Sequence, residues 1–254
     1  MAIDYIKKED IKLEFKNGFA QTELLPGVYK GGVRSYRCVL KAEASVRPEI
    51  LKNTLQLLCI TSGKGAIFTG EKTIAVNEPS VFVADPYGTF SIHAASDLTY
   101  TMFVVEQKPG DLARYDAFHM LLPFFRPLSE GVEYVQDCKT KYSRSWSLIP
   151  TKRLCRVLMG CCFADGSVEN SVEGTIEKGH PAVAQWNVTY GDTDLTLNVE
   201  GETVNLKTDD FSYVEAGLDH SLTTTKGKKL HYIWFEHYVQ EKDYLISYPR
   251  TREG

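Results

Sequence analysis

The sequence predicts an all-β protein built from two tandem copies of one small barrel, joined by a short helical linker. Three observations carry this. Short β-rich runs alternate with turn signals every 6–12 residues or so, the pattern of a sandwich or barrel. A series of strands and turns in the first half recurs in the second at an offset near 128–131 positions. A constant offset through several turns marks an internal duplication. The rhythm breaks once, over residues 109–131, where apolar residues fall at helical spacing.

Residues 1–108 form the first expected barrel. After the breakers Pro26-Gly27 and Gly31-Gly32, the run from Val33 to Ala42 reads as a strand and Leu55 to Ile60 as a buried one. The strands Ala66–Thr69, Thr73–Val76, Ser80–Ala84, Thr89–Ala94 and Leu98–Val105 follow, divided by turns at Ser62–Gly65, Gly70–Lys72 and Asp85–Gly88. In the linker, Leu112, Tyr115, Phe118, Leu121 and Leu122 lie on one helical face, and Pro123 and Pro127 end it. His119 lies within it as a packing or surface residue. Residues 132–254 form the second barrel. The turns at Tyr190-Gly191, Gly201-Glu202 and Glu215–Gly217 repeat those of the first half, and Phe211–Val214 repeats Ser80–Val83. Arg34–Leu40 recurs loosely as Arg153–Leu158, which predicts a repeated structural role for Arg34, Arg37, Arg153 and Arg156.

Composition narrows the function. A hydrophobic content of 43% and a charged content of 24% are ordinary for a globular chain. The net charge of −4 excludes a nucleic-acid binder, which carries a basic face. No apolar run approaches the ~18 residues of a membrane span. The first residues, MAIDYIKKEDIKLEF, alternate charged with apolar residues and lack the apolar core of a signal peptide. A cytoplasmic location and buried, reduced thiols are therefore expected for the six cysteines. The partners left are a small-molecule ligand and a second copy of the chain, as in a homodimer.

The chemistry concentrates between Gly179 and His220. His180 and His220 stand at the two ends of a run of short strands that can fold them toward one another. Trp186, Tyr190, Tyr213, Tyr232 and Trp234 are the aromatics expected to wall a pocket there. His231 and His237 share one face of the strand from Leu230 to Tyr238, and Tyr232, Trp234, Glu236 and Tyr238 share the other. Either face could line the barrel. Asp209-Asp210 reads as a solvated turn. No phosphate-binding loop, nucleophile elbow or zinc-protease helix occurs.

These motifs resemble the cupin superfamily. Glu215-Ala216-Gly217-Leu218-Asp219-His220 is similar to its second motif, lacking only the proline, and Gly201–Asp210 is similar to the G-E run that precedes it. His180-Pro181-Ala182-Val183-Ala184-Gln185 resembles the first motif, with Gln185 at the glutamate position and Lys178 where its first histidine falls. In the first half Pro86–Ser91 matches the second motif with Ser91 in the place of His220. No histidine precedes His93.

The resemblance implies double-stranded β-helix barrels in a bicupin, with the candidate site in the second barrel and no metal in the first. It implies a divalent metal (Fe, Mn, Zn or Ni) held by His180, Gln185 and His220, for isomerase, hydrolase, lyase or dioxygenase chemistry on a small polar metabolite. The layout is similar to ureidoglycine aminohydrolase-type bicupins, whose ligand pattern is met here only at His180. The alternative is a metal-free barrel that binds or senses a small molecule without catalysis. No catalytic residue is assigned from sequence.

Overall fold

The structure is a computed structural model that describes residues 3–240, except 71, 110, 112–119, 155, 167, 168, 170 and 181 and the side chains of 150–153. Its regular secondary structure is almost entirely strand. In chain order these are β1 (Asp4–Ile6), β2 (Phe19–Leu24), β3 (Val33–Leu40), β4 (Ser45–Val46), β5 (Thr54–Ser62), β6 (Gly65–Thr69), β7 (Thr73–Val76), β8 (Ser80–Val83), β9 (Phe90–Ala94), β10 (Leu98–Glu106) and β11 (Phe124–Pro127). Then come β12 (Val132–Tyr134), β13 (Arg144–Leu154), β14 (Val157–Ala164), β15 (Glu173–Glu177), β16 (Val183–Thr189), β17 (Asp194–Val199), β18 (Glu202–Lys207), β19 (Phe211–Val214), β20 (His220–Thr224) and β21 (Leu230–Tyr238). The helical linker expected over Leu112–Leu122 lies, with His119, almost wholly outside the described residues.

The chain divides into two units, Glu9–Glu130 and Met1–Lys8 with Gly131–Gly254. In the first, a sheet ordered β11-β8-β5-β10-β3-β2 and a sheet ordered β4-β9-β6-β7 enclose one core. Cys38, Leu40, Leu58, Ile60 and Phe82 meet Ile67, Val76, Phe90 and Ile92 there, all buried. Each such side chain contributes about 1.5–3 kcal/mol by leaving water. The second unit repeats the plan as β1-β19-β16-β21-β14-β13-β12 and β15-β20-β17-β18. From β5, β6 and β7 to β16, β17 and β18 the starting positions are offset by 129; from β8, β9 and β10 to β19, β20 and β21, by 131, 130 and 132. The duplication is a structural fact.

Three details differ from the sequence-based expectation. The strand on the edge of β8 is β11, from the expected linker, whereas the strand on the edge of β19 is β1, from the start of the chain. Residues 1–8 therefore complete the second barrel, not the first. Asp210 anchors them. It is buried, accepts the Lys8 and Lys207 amides at 2.8 Å each and pairs with Lys7 Nζ at 3.2 Å. It is no solvated turn. The arginine repeat also dissolves. By register on β10 and β21, Arg37 corresponds to Cys161 rather than to Arg156. Arg156 instead precedes β14 at φ 56°, fully buried, with Nη1 on His237 Nε2 at 2.9 Å.

The turn at Glu200-Gly201 fits its sequence. Both residues have positive φ, 49° and 87°, and join β17 to β18 in a two-residue hairpin, the left-handed geometry that Gly supplies at low cost. No helix among the described residues is long and apolar enough to cross a membrane.

Candidate metal centre

Strand alternation decides which side chains enter the second barrel. On β16, Gln185, Asn187 and Thr189 lie opposite Glu236, Trp234 and Tyr232 of β21. On β15, Glu173, Thr175 and Glu177 lie opposite Thr224, Leu222 and His220 of β20. The corresponding face of the first unit is its core, so these residues point inward. The barrel-lining face of β21 is thus Tyr232, Trp234, Glu236 and Tyr238, and His231 and His237 face outward.

His220 begins β20, and His180 stands in the loop between β15 and β16. The loop is pinned to the turn before β20. Gly217 N donates to His180 O at 3.0 Å, and Gly179 N to Asp219 Oδ1 at 2.7 Å. A Cβ at Gly179 would lie 2.1 Å from Gly217 O, so only glycine permits this approach. Both imidazoles are then oriented by backbone. His180 Nδ1 meets Val183 O at 3.1 Å and His220 Nδ1 meets Leu218 O at 3.0 Å. A carbonyl only accepts, so each Nδ1 carries the proton and each Nε2 keeps its lone pair. The rings stand edge to face, with centroids 5.7 Å apart.

Glu177 closes the set. Its Oε1 is 3.6 Å from His180 Nε2, and its Oε2 is 3.7 Å from His220 Nε2. The three donor atoms lie within 4.8 Å of one another. Glu236 Oε1 approaches His180 Nε2 to 3.8 Å from the opposite wall. A shell of ligands at ~2.0–2.2 Å from a divalent ion places neighbouring donors about 3–3.6 Å apart, and the two carboxylate–imidazole separations lie close to that range. His220 Nε2 is buried with no hydrogen-bond partner among the described residues. Burial pushes this imidazole below the usual histidine range, against the opposing effects of the Leu218 carbonyl and Glu177. It is neutral, as a ligand must be. Two imidazoles and one or two carboxylates suit Mn, Fe, Ni or Zn. The chain's residues therefore fit a metal.

The sequence-predicted residues scatter around this centre. His180 and His220 are in it. Gln185 lines the same wall, across from Glu236, and its Nε2 donates to Asn187 Oδ1 at 2.8 Å. Lys178, the residue expected at the first ligand position, turns outward to Asp219 at 2.9 Å with its side chain 93% exposed. The acidic residue before it takes that place instead. The one-residue shift is why the motif hid it.

Of the expected pocket aromatics, Tyr232 and Trp234 face inward, but Trp186 and Tyr213 lie on the outer face, with ring centroids 5.0 Å apart. Tyr190 is also turned away, against His231 at 5.5 Å. Tyr134 of β12 was not anticipated. Its phenol is buried and pushed well above the usual range, first by burial and then by the charge of Glu236. The only hint of Glu236 was its place on an unassigned strand face.

The first barrel lacks the set. By register Phe90, not Ser91, corresponds to His220, and Val104 to Glu236. By register Val46 matches Thr175 and Gln56 matches Gln185, ten residues apart in both units, which places Pro48 and Leu51 at the positions of Glu177 and His180. Only Gln56, equivalent to Gln185, is kept. His93 faces outward and meets Ser45 Oγ at 3.0 Å.

No protein-family model matches the chain, and no curated protein matches its sequence. Solved structures do match its fold. The putative glyoxylate-induced protein of Pseudomonas aeruginosa aligns over 94% of this chain and 90% of its own, with TM-score 0.74 and 11% identity. The E. coli protein Ylba aligns over 94% and 92%, with TM-score 0.71 and 13% identity. The oxalate decarboxylase of Lactobacillus farciminis, solved as a formate complex, aligns over 93% and 86%, with TM-score 0.69 and 10% identity. A cupin 2 conserved barrel domain protein from Leptotrichia buccalis covers 92% of this chain, with TM-score 0.60. The chain has the cupin fold in duplicate, and its His/Glu cluster lies in the second barrel.

Proposed function

We propose that the second barrel is the active site of a metal-dependent enzyme acting on a small polar metabolite, by isomerase, hydrolase, lyase or dioxygenase chemistry. One observation carries this reading. Glu177, His180 and His220 converge from β15, the loop after it and β20, with both Nδ1 protons already committed to backbone carbonyls, so the lone pairs are aimed at one point. A bound divalent ion would act there as a Lewis acid toward a carbonyl or carboxylate oxygen. The backbone carbonyls of Val183 and Leu218 hold the ligand rings in place, as such outer partners do in metal sites. Glu236 and Gln185 line the wall beside it, where they can fix the substrate or complete the ligand set. That an oxalate decarboxylase shares the fold supports catalysis on a small molecule.

The test is the metal content of protein purified without added metal and again after reconstitution. Near-stoichiometric metal is expected in the wild type and loss in Glu177→Ala, His180→Ala and His220→Ala. Gln185→Ala should weaken retention less than Glu177→Ala. A wild type that holds no metal after reconstitution with Mn, Fe, Zn or Ni leaves the metal-free binding protein as the better account.

A further inference from the structure

The interior of the first barrel contains a cavity of about 250 Å³. It lies at the level that the His/Glu cluster occupies in the second. Pro48, Leu51, Gln56, Met102 and Val104 line it. By register they stand for Glu177, His180, Gln185, Trp234 and Glu236. Met102 and Val104 are smaller than the Trp234 and Glu236 they stand for, which leaves space at this level of the barrel. The ligand set is gone from these positions, and a space lined by mostly apolar side chains is there instead.

One buried polar group remains in the wall. Gln56 is 3% exposed, and its Nε2 donates to Glu49 O at 2.6 Å. A carbonyl only accepts, so this bond fixes which end of the amide is nitrogen. Gln56 Oε1 is buried with no hydrogen-bond partner among the described residues. The other amide of the wall, Gln21, is exposed and accepts from Cys38 Sγ at 3.7 Å. Around Gln56 the surface is apolar: Leu51, Met102 and Val104, with the half-buried rings of Phe19 and Tyr36. Arg47 and Glu49 are exposed lining residues of opposite charge, so they add no net charge to the wall.

This combination selects a ligand. A buried water needs two to four polar partners, and the buried wall offers one unused acceptor. An apolar molecule with a single donor satisfies that acceptor and covers the rest. A dry cavity of roughly 150 Å³ takes benzene, so this one has room for a ring and a small substituent. A thioether and two aromatic side chains give a ring favourable contacts beyond its burial.

We propose that the first barrel is a second binding site, for an uncharged single-ring aromatic molecule with one O–H or N–H donor, a phenol in the simplest case. The ring lies against Leu51, Met102 and Val104, and the donor bonds Gln56 Oε1. The site uses no metal and does not depend on the metal reading of the second barrel.

The test is a ligand-observed NMR titration of the chelator-treated full chain with phenol, toluene and benzoate. Phenol and toluene should both bind, and benzoate about tenfold or more weaker than phenol, because its charge would be buried without a partner. Gln56→Met nearly keeps the volume and removes the acceptor. It should weaken phenol about tenfold and leave toluene within about twofold. Val104→Phe and Leu51→Trp fill the cavity, and each should abolish binding of both probes; Leu51 is half-buried, so its variant serves if Val104→Phe does not fold. His220→Phe should bind phenol as the wild type does, since the site lies outside the second barrel. No binding of phenol or toluene, equal weakening of both in Gln56→Met, undiminished binding in the filled variants, loss in His220→Phe, or tighter binding of benzoate than of phenol would overturn the proposal.

Discussion

Replacing His220 by phenylalanine copies into the second barrel what the first barrel already has, because Phe90 occupies the equivalent position and is 3% exposed. The substitution removes a buried nitrogen without a partner, whose desolvation costs about 1–3 kcal/mol. It also deletes the 3.0 Å bond to Leu218 O, worth about 1 kcal/mol. Metal-free and near pH 7.5, His220→Phe should therefore equal the wild type or exceed it by up to about 2 kcal/mol. Acid should widen the gap. Burial lowers the folded-state pKa of His220 below its reference value of 6.5. As pH falls below 6.5 the unfolded chain takes up the proton first, so the wild type loses stability until its folded-state pKa is reached; above 6.5 the histidine contributes no such slope. The variant lacks that loss. With metal at ~100 times its Kd, the wild type gains about 2.7 kcal/mol and His220→Phe gains little. The order of stability then reverses. All three tryptophans, Trp146, Trp186 and Trp234, lie in the second unit, so fluorescence-monitored urea unfolding reads this barrel alone. The reasoning fails if metal stabilises both proteins equally, or if the two proteins lose the same stability between pH 6.5 and the folded-state titration of His220.

Deleting residues 1–8 should expose the edge of β19 and strip Asp210 of the Lys7 and Lys8 contacts. A loss of about 1–3 kcal/mol is expected, read by the same fluorescence, with little change in the unfolding of the tryptophan-free first unit followed by circular dichroism. Gly160→Ala should cost about 1–3 kcal/mol by overpacking, because the new methyl meets both Trp234 Cζ2 at 2.2 Å and the Trp146 carbonyl at 2.5 Å. A shifted emission maximum would report the displaced indole.

The duplication was legible because turn chemistry is local. Gly201 and Gly217 need positive φ in this fold, and such positions keep their spacing along the chain. His220 was legible for the same reason, since it follows the Gly217 turn, and His180 stands beside Gly179, which packs too close to Gly217 for any other residue. Glu177 was hidden because it lies one residue before Lys178, where the motif places a ligand. Glu236 was hidden because alternation along β21 gives two faces and says nothing about which one the barrel encloses. The same ambiguity misplaced Trp186 and Tyr213, which are as apolar and as buried as a pocket residue but belong to the outer layer. The exchange of β1 for β11 depends on strand partners nearly the whole chain apart, which no local pattern encodes.

The two barrels share a plan and differ in what fills it, and that difference has an energetic consequence. In the first, Leu51, Phe90 and Val104 line the interior with apolar contacts. In the second, His180, His220 and Glu236 hold the same positions; among the described residues the buried atoms His220 Nε2, Trp234 Nε1 and Ser145 Oγ lack hydrogen-bond partners, as Gln56 Oε1 and Ser80 Oγ do in the first, but only the second also holds buried imidazoles and carboxylates at the centre. Each costs stability that a ligand would restore. Local opening should therefore be easier in the second barrel when it is empty. Hydrogen exchange tests this strand by strand. In metal-free protein the amides of β21 should exchange faster than those of β10. Metal at ~100 times its Kd should slow β16, β20 and β21 by up to about a hundredfold and leave β10 unchanged. Equal protection of β10 and β21 without metal would mean that the polar interior is already satisfied, and slowing of both would mean that metal acts on more than the second barrel.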